Sequence, residues 1–219
     1  MKKWLTPFNI KRFIIMLFGN ALLGVGVSLL RLADFGTDPF ACMNIGVSSH
    51  LPIGYGTYQM LLNAAMFVVV IILYPQSFGI GAFINMVGLG YEVEFCMWLC
   101  EIFGVTIASM SGLYVLRVLF LFAGIAIICL GVALYVQSNM GIAPYDVAGV
   151  IVEKRTHGKI SFRATRVTLD IIAIIIGWIS GGPVGFATVV VGFFTGPLVT
   201  WFKVHCAEKL LPEQTEAAA

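Results

Sequence analysis

The sequence predicts an all-α polytopic membrane protein with six transmembrane helices, arranged as two inverted three-helix repeats, each carrying a short broken or re-entrant helix. Three observations carry this: composition, an internal echo, and the placement of basic residues. Of 219 residues, 59% are hydrophobic and 11% charged, with a mean hydropathy of +0.97. Soluble domains carry about 25% charged residues, so a water-exposed surface of ordinary composition is excluded.

Apolar runs close to the roughly 20 residues that cross a hydrocarbon layer recur along the chain. Six spans are expected, at about 13–33, 57–74, 80–101, 113–137, 164–180 and 183–203. The start, with Met1, Lys2, Lys3, Lys11 and Arg12 before an apolar run, imitates a secretion signal. It lacks a small-residue cleavage site and five more spans follow, so it reads as a retained first helix.

The echo lies at an offset of 105 residues. Gly19, Gly26-Val27-Ser28-Leu29, Gly36 and Pro39-Phe40 are answered by Gly124, Gly131-Val132-Ala133-Leu134, Gly141 and Pro144-Tyr145. With small slips the match continues: Asn63 against Asp170, Gly79-Ile80-Gly81-Ala82 against Gly185-Phe186-Ala187-Thr188, and Gly90 against Gly196. The chain is thus one membrane domain over 1–219 with internal repeats at approximately 12–103 and 113–206.

Basic residues set the orientation. With a cytoplasmic N-terminus, Lys2, Lys3, Lys11, Arg12, Lys154, Arg155, Lys159, Arg163, Arg166, Lys203 and Lys209 fall inside, and only Arg31 and Arg117 outside. That bias requires an even number of crossings and two cytoplasmic termini. Three spans per repeat is odd, so the second copy enters from the opposite side. The net charge of +2 reflects this orientation, and nothing in it points to nucleic acid.

Between the first and second spans of each repeat lies a segment too short to cross, at 37–49 and 144–152. In the first, Gly36 ends one helix, Thr37 or Asp38 caps the next, and Pro39 opens its first turn. In the second, Met140-Gly141-Ile142-Ala143-Pro144-Tyr145 repeats the break without the capping side chain. A helix start carries unpaired N–H groups and about half a positive charge, attractive to anions and carbonyl dipoles. These segments are either re-entrant, meeting across a central cavity, or interfacial, lying at opposite membrane surfaces.

Polar residues within spans are the other candidates. Asp170 precedes the run Ile171-Ile172-Ala173-Ile174-Ile175-Ile176, and a carboxylate there costs about 2.5 to 3.5 kcal/mol on insertion scales. Its counterpart Asn63 offers a matching hydrogen bond, while Arg166, one turn earlier, offers an ion pair. Glu92 and Glu94 point to different faces, and pairing with Arg31 or Arg117 is their structural reading. Asn20 and Asn85 read first as helix-to-helix hydrogen bonds.

Small faces on the third and sixth spans come from Gly88 and Gly90 and from Gly192 and Gly196, the latter a GxxxG pattern suited to close packing. Trp4, Trp98, Trp178 and Trp201 fall near span ends, where indoles favour the interface. Five cysteines lie mostly within helices and read as packing residues. Cys96 and Cys100 are one turn apart but no histidine or third thiol accompanies them, so no metal is expected. No nucleophile with a matched base stands at helical spacing, so no enzyme and no cofactor are expected.

These residues make the chain similar to the bacterial YczE/YyaS/YitT group of integral membrane proteins, most closely its YczE-like branch. The likeness rests on Gly26-Val27-Ser28-Leu29, Phe35-Gly36-Thr37-Asp38-Pro39-Phe40 and Gly79-Ile80-Gly81-Ala82, with Gly185 to Pro197 echoing the last, over roughly 12–203. It implies a small multi-pass protein of the bacterial cytoplasmic (inner or plasma) membrane, generally presumed to transport something. The chain departs from the pattern at Ala82, where a threonine is expected and where Thr188 keeps it in the second copy.

The function expected is a secondary transporter or permease of a small polar solute. There is no Gly-rich phosphate loop, so no ATP hydrolysis by this chain. The site residues expected are Thr37, Asp38, Asn63, Asn85, Glu92 and Asp170. A passive channel, or a non-transporting membrane partner of another complex, is the alternative. Lipid and solute are the partners implied, with a second copy of the chain a further candidate.

Overall fold

The computed structural model describes residues 7–74, 79–141 and 143–212. Met1, Lys2, Lys3, Trp4 and Ile142, used above, lie outside them. Every regular element among the described residues is helical. In chain order they are α1 (Pro7–Ala33), α2 (Pro39–Ser48), α3 (Tyr55–Leu73), α4 (Ile80–Ile102), α5 (Ile107–Met110), α6 (Tyr114–Gln137), α7 (Pro144–Arg155), α8 (Phe162–Ile179) and α9 (Phe186–Phe202). A π-helical turn at Lys203–Ala207 and a last turn, α10 (Glu208–Leu210), follow.

Among the described residues five helices are long and apolar enough to cross a membrane: α1, α3, α4, α6, and α9 with its continuation to Leu210. The chain is a multi-pass membrane protein. The sixth expected span forms as α8, but its 18 residues include Arg163, Arg166 and Asp170. It is amphipathic where the other long helices are apolar, and its charges need partners.

The centre of the bundle is the pair α1 and α6. Here glycine replaces interdigitating side chains: a Cβ on Gly19 would stand 2.9 Å from the Gly131 carbonyl oxygen, and one on Gly26 3.1 Å from that of Gly124. Residue 19 meets 131 and residue 26 meets 124, so the two helices run antiparallel. Between lipid-facing helices there is no hydrophobic gain from association, and small residues that let backbones close up supply dispersion instead. Leu23, Val27 and Leu30 of α1 and Leu121, Ile125 and Ile128 of α6 complete the seam, with Val93 of α4 and Val191 of α9 closing it on either side.

Close approach at Gly90 brings α4 onto α3, where a Cβ would sit 2.7 Å from the Gly56 Cα. The other small-residue expectation is corrected. A Cβ on Gly192 would reach only Pro39 Cγ at 3.4 Å, and nothing lies within 4 Å of one on Gly196. The GxxxG face of α9 is open because α9 turns Ala187 and Val191 to the core instead, with Val199 and Phe202 packed against it. Trp98, Trp178 and Trp201 are exposed, as aromatic residues at span ends require.

Candidate functional site

The site is built from two broken helices. After α1 the chain turns through Asp34 (φ 56°) and Gly36 (φ 101°), and after α6 through Asn139 (φ 52°) and Gly141 (φ 114°). Left-handed backbone at these matched positions ends each long helix and frees Pro39 and Pro144 to open a short one. Each break is tied by an equivalent bond to the helix start beside it. Ala187 N–H donates to Phe35 O and Gly81 N–H to Met140 O, both at 2.8 Å.

The starts of the two short helices meet. The Phe40 and Tyr145 rings stand 4.6 Å apart between centroids, tilted by 38°. Asp38 caps α2: its Oδ1 accepts from Ala41 N–H at 3.0 Å. Its other oxygen, Oδ2, is buried with no hydrogen-bond partner among the described residues. α7 starts at Ala143 without a side-chain cap, as the sequence predicts. Six of the ten residues of α2 are buried, Asn44 among them with both amide atoms unpartnered.

α8 supplies the charged wall. Tyr145 Oη donates to Asp170 Oδ1 at 2.8 Å, and Arg166 Nε stands 3.4 Å from the same carboxylate. Arg166 also pairs with Asp146 and lies 4.7 Å from the Tyr145 ring centre. Asp170 is 5% exposed, on the helix α8 that packs against α2. The arrangement offers an unused carboxylate oxygen as acceptor, an uncapped helix start as donor, and an aromatic pair between them.

Of the expected site residues, the structure brings Asp38 and Asp170 into this centre. Thr37 adjoins it, fully buried, but its N–H is taken by Pro183 O at 3.3 Å and its hydroxyl by Asp38 O at 3.4 Å. Asn63 is buried in α3, and the expected bond to Asp170 is replaced by those of Tyr145 and Arg166. Both are held by the short helix and by α8 itself, one turn or one contact away.

Asn85 and Glu92 form a second cluster with Asn20. Asn20 Nδ2 lies 3.0 Å from each Glu92 oxygen, and Asn85 Nδ2 donates to Asn20 Oδ1 at 2.6 Å. The ion pairs expected for the glutamates do not form. Glu94 accepts from Gly56 N–H at 2.8 Å, Arg117 pairs with Asp34 at 3.1 Å, and Arg31 lies over the Tyr55 ring. The Arg117 correction has a simple cause: its Nε is drawn to the bare Ala33 carbonyl at the end of α1, at 2.7 Å, beside Asp34.

Sequence reasoning missed Phe40, Tyr145 and Arg166 as site residues. Their signal was present: the two rings follow the two prolines at the same offset, and Arg166 stands four residues before Asp170. A cavity of about 520 Å³ lies apart from these residues, lined by Arg31, Tyr55, Glu94, Trp98 and Glu101 among others and by the start of α5. No metal-binding group of three or more His, Cys, Asp or Glu side chains occurs among the described residues.

Comparison with known proteins gives kinship without an activity. The chain is 27% identical over 197 residues to an uncharacterised protein of Haemophilus influenzae, covering 88% of this chain and 83% of that one. It is 25% identical over 195 residues to the uncharacterised membrane protein YczE of Bacillus subtilis, covering 88% and 85%. YyaS of the same organism is 26% identical over 188 residues, covering 84% and 88%. These bear out the resemblance read from the glycine and proline motifs. No solved structure matches. The model of DUF6198, a family of unknown function, matches residues 10–204, and the chain belongs to that family.

Proposed function

We propose that the chain is a secondary transporter or permease of a small polar solute, which binds where the starts of α2 and α7 meet. The observation that carries the reading is Asp38: a carboxylate with one buried, unpartnered oxygen at the start of α2, where the Phe40 and Tyr145 rings meet and α2 packs against α8. Unpartnered polar atoms in a protein interior are costly, so such an atom at a helix break has a use. Transporters commonly place broken-helix ends at a midplane site between repeats.

In this reading α8 is the sixth span, its charges turned inward to Tyr145 and Asp146, and the two three-span repeats are inverted. The seam supports it. Under the 105-residue offset Gly19 becomes Gly124 and Gly131 becomes Gly26, so the two glycine contacts exchange, as a two-fold relation gives. The burial of α2 favours re-entrant over interfacial short helices. Gln137 donates to Leu211 O at 2.9 Å, bringing the end of α6 to the end of the chain, on the side read as cytoplasmic. The reading assigns no catalysis to the chain.

The test is flux in proteoliposomes across a panel of small polar solutes. Saturable, gradient-dependent uptake by the wild type, lost in Asp38→Asn and Asp170→Asn while both variants remain folded, is the expected outcome. Unsaturable flux identifies a channel. Full uptake by both variants removes the centre from the mechanism.

A further inference from the structure

Glu92 stands near the middle of α4 and makes no ion pair among the described residues. Its two oxygens face a single neutral donor, Asn20 Nδ2, at 3.0 Å each. Asn20 is fully buried and Asn85, which donates to it, is 4% exposed. An ionised carboxylate at mid-span costs about 2.5 to 3.5 kcal/mol on insertion scales. One shared amide donor returns only part of that, since a hydrogen bond to a charged group is worth roughly 1.5 to 3 kcal/mol net. Taking up a proton removes the charge and with it that cost.

The geometry points to Asn20, Asn85 and Glu92 as a proton-binding site, with Glu92 the group that takes the proton and the amides satisfying it in both states. With Glu92 ionised, the amides donate toward it, as found. With Glu92 protonated, its hydroxyl becomes a donor and needs an acceptor. Each asparagine carries one acceptor oxygen and one donor nitrogen on a rotatable amide. Turning both about their terminal torsions presents Asn20 Oδ1 to the acid and Asn20 Nδ2 to Asn85 Oδ1. The bonds between Glu92, Asn20 and Asn85 reverse direction.

A proton fits here and a metal cation does not. Hard cations require several oxygen ligands, six or more for calcium and magnesium, whereas the Asn20 N–H group already occupies the space before both carboxylate oxygens. The slot is narrow: a Cβ on Gly24 would stand 2.8 Å from Glu92 Cβ, and one on Gly88 would lie 3.5 Å from its Oε1. Among the described residues, none of the other ionisable groups nearby forms an ion pair with Glu92. Cys96 is one turn along α4, Glu94 is held by Gly56 N–H, and Arg31 of α1 lies over Tyr55 of α3. Proton binding stands without a transported solute; that this proton drives solute movement rests on the function proposed above.

The test needs no solute. Hydrophobic carbodiimides react with protonated carboxyl groups in apolar surroundings. Full-length protein in detergent is treated from mildly acidic to mildly alkaline pH, and the adduct on the Glu92 peptide is measured by mass spectrometry. Labelling is expected to fall about tenfold across that range, to vanish in Glu92→Gln, and to be indifferent to excess sodium. Asn20→Leu removes the donor to the carboxylate, so labelling should persist to higher pH. Absence of adduct at Glu92 at every pH, protection by sodium, or an unchanged profile in Asn20→Leu would overturn the proposal.

Discussion

The two helix breaks share a backbone and differ in chemistry. At Phe35 and Met140 the same carbonyl accepts the same kind of bond at the same length, and at Gly36 and Gly141 the backbone turns left-handed in both. Yet Asp38 caps one short helix while Ala143 leaves the other open, and Thr188 Oγ1 accepts from Gly185 N–H at 3.2 Å where Ala82 has no hydroxyl. The polar cluster is one-sided too: positions matching Asn20, Asn85 and Glu92 in the second copy are Ile125, Val191 and Leu198. What needs only glycine and main chain is present twice. The carboxylates Asp38, Glu92 and Asp170 each occur in one copy only.

The largest expected effects test the shared part. Gly185→Ala drives a Cβ into the Phe35 carbonyl and Gly79→Ala drives one into the Met140 carbonyl. Backbone cannot yield as a side-chain tip can, so each should cost about 3 kcal/mol or more, read as a large fall in thermal midpoint in detergent. If only one variant is destabilised, the two breaks are not equivalent.

Next comes the charged wall. Arg166→Gln leaves Asp146 and Asp170 facing one another with no cation, and removing one partner of a buried pair typically costs about 3 to 5 kcal/mol. Asp170 is buried but Arg166 and Asp146 are partly exposed, so a loss nearer 1 to 2 kcal/mol is expected here. The double variant Arg166→Gln with Asp170→Asn should recover part of it, and a double-mutant cycle with no coupling would break the assignment.

The cap difference is a finer probe. Asp38→Ala should cost about 1 kcal/mol through the lost bond to Ala41, whereas Ala143→Ser, at an extended backbone position (φ −55°, ψ 141°), should gain about 0.5 to 1 kcal/mol by installing the missing cap. Equal and opposite shifts in the melting curves are the outcome that sharpens the comparison. Smallest is Gly196→Ala, where a Cβ meets nothing within 4 Å, and the change should stay within about 0.5 kcal/mol.

Much of this was legible in the sequence. Hydropathy placed all six long helices to within a few residues, and the Gly36-Thr37-Asp38-Pro39 run named the break, the cap and the helix start. Side-chain partners were less legible, because spacing gives neighbours on one helix and says nothing about the next. Arg166 with Asp170 is an i, i+4 pair and was readable. Tyr145 with Asp170, Asn20 with Glu92, and Arg117 with the Ala33 carbonyl join residues far apart in the chain, set by how helices rotate against each other. Gly196 failed for the same reason: a small face permits close packing but does not summon a neighbour.

The glycine seam between α1 and α6 has a consequence for the order of synthesis. Gly19 and Gly26 enter the membrane about 100 residues before the Gly131 and Gly124 that cover them. Until then α1 has α4 on one side and a bare strip of backbone on the other. A ribosome that stopped after Met110 would release a chain whose central helix lacks its main neighbour, so the first half has no finished form of its own. The bundle closes only when the sixth helix element arrives, and the two copies of the repeat fold as one object.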